Sequence, residues 1–168
     1  MLYRGSKTTS FHYLGARVAT RYLQLFDLQT LVGQLLGSSE WLTVDQARID
    51  AFAAATDDHQ WIHTASEQAA NGPFGGPIAH GYLTLSLLPV LMQAAYRIES
   101  ARMSINYGLN RVRFPAVLPA GSRIRGHATL SAYDPLDDGA QLTVTVSVER
   151  EAHAKPVCVA ESLSRHFV

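Results

Sequence analysis

The second half of the chain alternates between apolar and polar residues in the manner of β-strands. The pattern is strictest at 141–150, where leucine and valine alternate with threonine, serine and glutamate. Such a period of two predicts a strand with one buried and one polar face. We also predict strands at 102–114, 122–132 and 156–167, separated by short turns rich in proline, glycine and charged residues. Consecutive strands with short connections predict an antiparallel meander.

A long apolar segment begins at Gly81 and continues to Ala95 with apolar residues on nearly every side. This pattern predicts a helix buried in the middle of a domain. Pro89 removes one main-chain hydrogen bond inside the segment, so we predict one bent helix and not two separate helices. The simplest cover for such a helix is the predicted sheet, curled around it. The fold class predicted from these patterns is α+β.

The first half of the chain predicts shorter helices. Apolar residues at mixed helical spacing over 26–36, followed by Gly37, predict a short amphipathic helix with a glycine stop. Trp41-Leu42-Thr43 is predicted to be extended, and Thr43 with Gln46 forms a capping-box pattern for a helix reaching about residue 56. Thr64 with Glu67 is a second such pattern, for a helix through residue 70.

Composition limits the classes of function. The chain has 168 residues, of which 47% are hydrophobic, as expected for one folded domain. Equal numbers of basic and acidic residues, 14 each, disfavour nucleic acid and anionic membranes as partners. The single cysteine, Cys158, lies in a predicted strand, which favours a buried, inert thiol and a reducing, cytoplasmic location.

Residues 1–37 are predicted to form an N-terminal extension with a short helix, and 38–168 the main domain. The first 26 residues contain Arg4, Lys7, Arg17 and Arg21 but no acidic residue. Organelle transit segments share this composition, but we favour a simple extension.

Asp58 and His63 are the first candidates for chemistry. They lie five residues apart in a polar interruption between two predicted helices. A carboxylate beside an imidazole can hold and polarise water, because histidine titrates near neutrality. Taken alone, however, this spacing is more often a capping aspartate and a surface histidine.

A second candidate element follows at Ile78-Ala79-His80-Gly81, between a glycine- and proline-rich loop at 72–77 and the apolar helix. The first N–H groups of a helix have no partner within it. They can therefore stabilise negative charge on a substrate oxygen, and Gly81 would allow close approach.

These motifs together resemble the MaoC-like, or type 2, (R)-specific enoyl-CoA hydratases. The resemblance rests on Asp58-His59-Gln60-Trp61-Ile62-His63, then Gly-Pro-Phe-Gly, then Ile78-Ala79-His80-Gly81. It continues through Asn106-Tyr107-Gly108-Leu109-Asn110-Arg111-Val112-Arg113-Phe114-Pro115 and covers roughly residues 38–167. The usual pattern is Asp-x-Asn-Pro-x-His, and Gln60 with Trp61 in place of Asn-Pro resembles the NodN-like branch.

The resemblance implies a hotdog fold, an antiparallel sheet wrapped around a long central helix, in a homodimer. It implies an enzyme of fatty acid metabolism that reversibly hydrates trans-2-enoyl-CoA to (R)-3-hydroxyacyl-CoA. Asp58 and His63 would activate the water and the Gly81 N–H would bind the thioester oxygen. The acyl-CoA would lie in a groove near the subunit interface, and neither a metal nor another cofactor would be needed.

Several alternatives stay open at this point. The same fold could serve a thioesterase or a noncatalytic acyl-thioester binding protein. Asp57, Asp58, His59, His63 and His80 could offer metal ligands, but a hydrogen-bonded His80 shaping the loop is favoured. Arg111 and Arg113 could meet the CoA phosphates or lie on a solvated strand face, whereas Arg123 and Arg125 fit ordinary surface ion pairs. Trp61 and Phe74 could line the acyl site or simply pack.

Overall fold

The computed structural model describes residues 19–168, so Arg4, Lys7 and Arg17 of the basic N-terminal stretch lie outside the described residues. Its main sheet has six strands. They are β2 (Leu35–Ser38), β3 (Leu42–Val44), β5 (Met103–Arg113), β6 (Ser122–Leu136), β7 (Gly139–Arg150) and β8 (Cys158–Phe167). The order is β2-β6-β7-β8-β5, and β3 also pairs with β6. All of these pairings are antiparallel.

Four α-helices accompany the sheet. They are α1 (Gln46–Thr56), α2 (Glu67–Ala70), α3 (Gly81–Ser86) and α4 (Leu88–Ala95). The sheet wraps around α3 and α4, with α4 against β6 and β2 and α3 against β8. The approach of α4 to β6 is close, because a Cβ atom on Gly126 would lie 3.0 Å from the Leu91 Cβ. The predicted arrangement of a sheet curled around a central helical segment is confirmed.

The alternation of residues in the strands explains the buried core. In β7, Leu142, Val144, Val146 and Val148 are buried, whereas the residues between them are partly exposed. These side chains pack with buried residues of α4 and β6, including Leu91 and Leu130. Burial of such side chains contributes roughly 1.5–3 kcal/mol each. The four predicted strands are confirmed, but β5 pairs with β8 and not with its neighbour in sequence, β6.

The amphipathic helix predicted over 26–36 is wrong. The chain forms a 3-10 helix over Leu25–Leu31, turns at Gly33 with a φ of 86°, and enters β2. Gly37 therefore does not stop a helix but lies within β2, where a Cβ atom would be 2.2 Å from the Ala95 carbonyl oxygen. Mixed apolar spacing fits a 3-10 turn followed by a strand as well as it fits one helix.

Both predicted capping boxes are displaced from the real caps. Thr43 lies in β3, and the residue that caps α1 is Asp45, whose carboxylate accepts a hydrogen bond from the Arg48 N–H. For α2 the cap is Ser66, which accepts from the Ala69 N–H. In each case a stronger or equal capping residue lies closer to the first helical turn. The helix ends at residues 56 and 70 agree with the predictions.

The central helix is divided into α3 and α4, so the prediction of one bent helix is wrong. The division falls at Leu87, which ends α3 and precedes α4 with φ −84° and ψ −8°. Pro89 lies in the first turn of α4, where its missing N–H costs no hydrogen bond within that helix. Pro89 therefore lies in the first turn of α4 and does not bend a continuous helix.

The N-terminal part of the described chain packs onto the domain. A short strand β1 (Thr20–Tyr22) pairs in parallel with β4 (Tyr96–Ile98), directly after α4. Leu25, Leu28 and Leu36 are buried in the common core. The division into an extension over 1–37 and a domain over 38–168 stays a prediction. Among residues 19–168, no helix is long and apolar enough to cross a membrane.

A buried histidine makes the stability of this fold depend on pH. The ring nitrogens of His166 in β8 form hydrogen bonds with the hydroxyls of Ser104 (2.7 Å) and Ser164 (2.9 Å). Burial lowers the pKa of His166 from 6.5 to about 4. Between these values the unfolded chain binds a proton that the folded chain does not, so stability present above pH 6.5 is lost as the pH falls.

We predict that unfolding free energy falls by about 2.5 kcal/mol between neutral pH and about pH 4.5 because of this residue. Urea unfolding at the two pH values measures the loss. His166→Gln should lose less stability over the same interval, whereas His59→Gln, at an exposed position, should match the wild type. An equal loss in His166→Gln would contradict the assignment.

Candidate active site

Asp58 lies where the chain leaves α1. Asp57 ends that helix in the left-handed conformation, with a φ of 57°, which aspartate tolerates better than most residues. The chain is thereby turned into the irregular segment that contains Asp58. The Asp58 side chain is 51% exposed, and its Oδ1 accepts a hydrogen bond from the Gln60 N–H at 3.5 Å. The carboxylate therefore faces a space that a small molecule could reach.

His63 ends a short 3-10 helix, Trp61–His63, and is only 7% exposed. Its Nδ1 lies 2.7 Å from the carbonyl oxygen of Ile78. Because a carbonyl can only accept, Nδ1 carries the hydrogen and donates it, and the lone pair of the neutral ring is on Nε2. The sequence segment before α3 thus fixes His63 in the form that can accept a proton.

His80 lies against both residues. Its ring is 2% exposed, and its Nε2–H donates to the backbone carbonyl of Asp58 at 2.9 Å. The same nitrogen is 3.9 Å from the Asp58 Oδ2 atom. The ring stacks on that of His63 with centroids 3.6 Å apart and planes inclined by 25°.

Asp58, His63 and His80 converge, with one polar side-chain atom of each lying within 4.8 Å of the others. A single water can bridge a gap of this size, because two hydrogen bonds of about 2.8 Å span up to about 5.6 Å in line. The arrangement can hold a water between a carboxylate and an imidazole, which is the requirement for activating that water.

The same three side chains are the candidate metal ligands. Their geometry fits a metal ion poorly. Each histidine uses one nitrogen to donate to a carbonyl, which leaves one lone pair per ring. Two imidazoles that share an ion direct these in-plane lone pairs at one point, whereas rings stacked nearly parallel do not.

Gly81 is the first residue of α3, next to His80. A Cβ atom at this position would lie 3.0 Å from the ring of Phe114, which follows β5. Glycine therefore lets the Phe114 ring lie against the start of α3. Tyr82, 70% exposed, meets the same ring edge to face at 6.2 Å. The backbone at the start of α3 thus lies beside an aromatic wall.

The tentative site residues lie in different places. The Trp61 ring is against Gly72, where a Cβ atom would be 2.9 Å from the ring, so Trp61 packs on the glycine-rich loop. Phe74 is 43% exposed. Arg111 and Arg113 are exposed on β5, and the Arg113 guanidinium donates to the neighbouring Val112 carbonyl.

Arg123 and Arg125 form ion pairs with Glu151 and Glu149, in agreement with the surface role predicted for them. Cys158 is buried, and burial raises the pKa of its thiol to about 11. A thiol with this pKa is protonated at neutral pH and is a poor nucleophile.

Two supports of the site could not be assigned from the sequence. The Gln46 side-chain amide donates to the His63 carbonyl at 2.8 Å and to Asp50 at 2.7 Å. The Ile78 carbonyl accepts the hydrogen bond that fixes the His63 ring. Gln46 was predicted only as part of a capping box, and a main-chain carbonyl leaves no signal in a residue pattern.

An apolar groove lies along the central helices. It has a volume of about 320 Å³ and is lined by Leu85, Leu88, Pro89 and Met92 of α3 and α4 together with Tyr107 and Leu109 of β5. Leu85, the first residue of α3 that lines the groove, lies about one helical turn after Gly81. The volume is at the lower end of the range of small-molecule sites, about 300–1,000 Å³.

Comparison with known proteins identifies the family. A family model described as "MaoC like domain" matches residues 27–152. The chain is 50% identical over 141 residues to 3-hydroxyacyl-thioester dehydratase Z of Mycobacterium tuberculosis, covering 83% of this chain and 93% of that protein. It is 48% identical over 143 residues to Nodulation protein N of Rhizobium leguminosarum, covering 82% and 88%.

The structural comparison agrees. The crystal structure of the MaoC-like dehydratase from Rhodospirillum rubrum superposes with a TM-score of 0.71 at 25% identity, covering 87% of this chain and 97% of that one. The predicted hotdog fold, the resemblance to NodN-like sequences and the prediction of an enzyme of the dehydratase class are confirmed. The chain belongs to the MaoC-like dehydratase family.

Proposed function

We propose that this protein reversibly adds water to a trans-2-enoyl-CoA thioester and forms an (R)-3-hydroxyacyl-CoA. The observation that carries the proposal is the convergence of Asp58, His63 and His80, whose polar side-chain atoms lie within 4.8 Å of one another. The hydrogen bond from the His63 Nδ1–H to the Ile78 carbonyl leaves the His63 Nε2 free to act as a base. The relative named 3-hydroxyacyl-thioester dehydratase Z supports the same chemistry in the reverse direction.

Asp58 and His63 would handle the water. The His63 Nε2 accepts one proton as the water oxygen bonds to C3 of the substrate. The electron pair of the double bond moves toward the thioester, and the pair of residues returns a proton to C2. Atoms and charges balance with no metal or redox cofactor, because the thioester itself stabilises the negative charge. General acid–base groups of this kind contribute about a hundred- to ten-thousandfold in rate.

The thioester oxygen would be bound by the Gly81 N–H. This group lies at the start of α3, where helix N–H groups have no partner within the helix. A donor aimed at a developing oxyanion contributes a factor of about a hundred or more. The acyl chain would then extend into the apolar groove along α3 and α4, and Arg111 or Arg113 would meet the CoA phosphates.

A homodimer is proposed on the basis of β5. This strand ends the described sheet, and its residues from Met103 to Arg111 are all exposed. They include large apolar side chains, Met103, Ile105, Tyr107 and Leu109, each 42–54% exposed. A long apolar edge strand is a surface that pairs with another chain. Because β5 also lines the groove, dimerisation would place the acyl group near the subunit interface. We further propose a cytoplasmic location, which the single buried thiol suits.

The first experiment follows crotonyl-CoA by its enoyl-thioester absorbance, in the presence of a metal chelator and beside a thiol reagent that detects free CoA. Loss of the band without thiol release is the expected result. Release of thiol would instead indicate a thioesterase, and no change in either signal would favour a noncatalytic binding protein or another acyl chain. Loss of activity with the chelator would contradict the metal-free mechanism.

Substitution of the two residues should lower turnover selectively. We expect Asp58→Asn and His63→Asn to reduce kcat by about a hundred- to ten-thousandfold. Asparagine at 63 can still donate to the Ile78 carbonyl from the position of Nδ1, but has no base at the position of Nε2. His63→Ala should lose at least as much activity.

Matched controls lie beside each residue. Asp57→Asn changes the same group at a position whose left-handed conformation asparagine also accepts. His59→Asn alters an exposed histidine in the same segment. Both controls should keep near-wild-type rates. A folded Asp58 or His63 variant with near-wild-type kcat would refute the assignment.

The dimer can be tested by a charge on β5. We expect Ile105→Asp to convert the dimer into a monomer in size-exclusion chromatography with light scattering, because it adds charge to an apolar edge. Phe26→Asp is the control, since Phe26 is 64% exposed in the 3-10 helix, outside the sheet. Wild-type protein that runs as a monomer would disprove the proposal, as would an Ile105→Asp variant that stays dimeric.

A further inference from the structure

We propose that His80 is a positioning residue, which holds Asp58 beside His63 through its Nε2–H and keeps the His63 ring in place by stacking. The proposal rests on the proposed function for its kinetic test and on geometry alone for its structural test. His80 would not exchange a proton with the substrate in this role.

The carboxylate that needs positioning is weakly held by its own surroundings. Asp58 lies in an irregular segment after a left-handed residue, with its side chain half exposed. Its one side-chain hydrogen bond among the described residues is the long contact, 3.5 Å, with the Gln60 N–H. The bond from His80 to the Asp58 carbonyl is shorter, 2.9 Å, and comes from a residue that is 2% exposed. His80 therefore ties the exposed residue of the pair to the buried interior.

The stacking contact fixes the other side of the pair. The His63 ring has one face against His80, with centroids 3.6 Å apart. His80 is itself confined by Phe52 of α1, whose ring centroid is 5.1 Å away. A ring stacked against a fixed neighbour is hindered from rotating about χ2, so the His63 ring keeps its orientation beside His80.

Stability alone does not account for a histidine at this position. The second ring nitrogen, His80 Nδ1, is buried and has no hydrogen-bond partner among the described residues. An unsatisfied buried polar atom is costly, so an apolar ring of similar size would suit the fold better. A buried polar atom without a partner is instead typical of a functional site.

Three substitutions separate the two contacts. His80→Phe keeps a ring that can stack but removes the donor to Asp58. His80→Gln places an amide N–H near the position of Nε2 and keeps the donor without the ring. His80→Asn carries its amide one methylene shorter and cannot reach the Asp58 carbonyl.

We expect His80→Phe to fold with an unfolding temperature close to that of the wild type. Its kcat should fall about a hundredfold, whereas its KM should change less than about threefold. The reason is that a misplaced catalytic group lowers turnover without weakening substrate binding. His80→Gln should stay within about tenfold of wild-type kcat, since it keeps the hydrogen bond. His80→Asn should resemble His80→Phe. If His80→Phe fails to fold, the comparison of the glutamine and asparagine variants carries the same test.

The result that overturns the proposal is a folded His80→Phe enzyme with kcat within about threefold of the wild type, or a glutamine variant as impaired as the phenylalanine and asparagine variants. Crystal structures of the variants give an independent answer. Asp58 should be displaced relative to His63 in His80→Phe and unmoved in His80→Gln, and an unmoved Asp58 in both would refute the positioning role. If the wild type hydrates neither crotonyl-CoA nor a longer trans-2-enoyl-CoA, the proposed function fails, and these structures alone decide the role of His80.

Discussion

The site depends on one short segment, Ile78-Ala79-His80, whose hydrogen bonds fix the positions of His63 and Asp58. The Ile78 N–H donates to the Ile62 carbonyl, and the Ile78 carbonyl accepts from His63. Two residues later the His80 ring holds Asp58, and the next residue, Gly81, begins α3. His63, Asp58 and the N-terminus of α3 at Gly81 are therefore positioned by four consecutive residues. A shift of this segment would move all three groups together.

The rest of the fold keeps that segment still. On its far side, the Ala79 N–H donates to Leu118 and the Ala120 N–H donates to Pro77, which joins the segment to the connection between β5 and β6. Ile78, Ala79 and His80 are all buried, so solvent cannot replace these bonds. The segment then continues into α3 and α4, inside the sheet, where packing is dense. The buried helical segment thus gives a fixed position to the residues at its first turn.

The parts of this architecture that the sequence predicted are those that depend on local patterns. Period-two alternation located β5 to β8, and continuous apolarity located the central helices. Prediction failed where two structures share one pattern: the spacing over 26–36 fits a helix, but the chain pairs β2 with β6 instead. It also failed at caps, because Asp45 and Ser66 compete with nearby threonines for the same N–H groups. Asp58, His63 and Gly81 could be proposed from motifs, but the contacts of His80 and Gln46 join residues 17 to 22 positions apart and have no sequence pattern.

The departure from the usual Asp-x-Asn-Pro-x-His pattern can now be placed in the structure. Trp61 stands where proline is common, and its ring packs on Gly72, away from the hydrogen bonds that hold His63 and Asp58. Its backbone still closes the 3-10 turn, since the Thr64 N–H donates to the Trp61 carbonyl. A larger side chain at 61 is thus accommodated by a residue without a side chain at 72, and the two positions constrain each other. Tryptophan at position 61 therefore affects the packing of the glycine- and proline-rich loop at 72–77. The geometry of the Asp58–His63 pair is set by the segment that begins at Ile78.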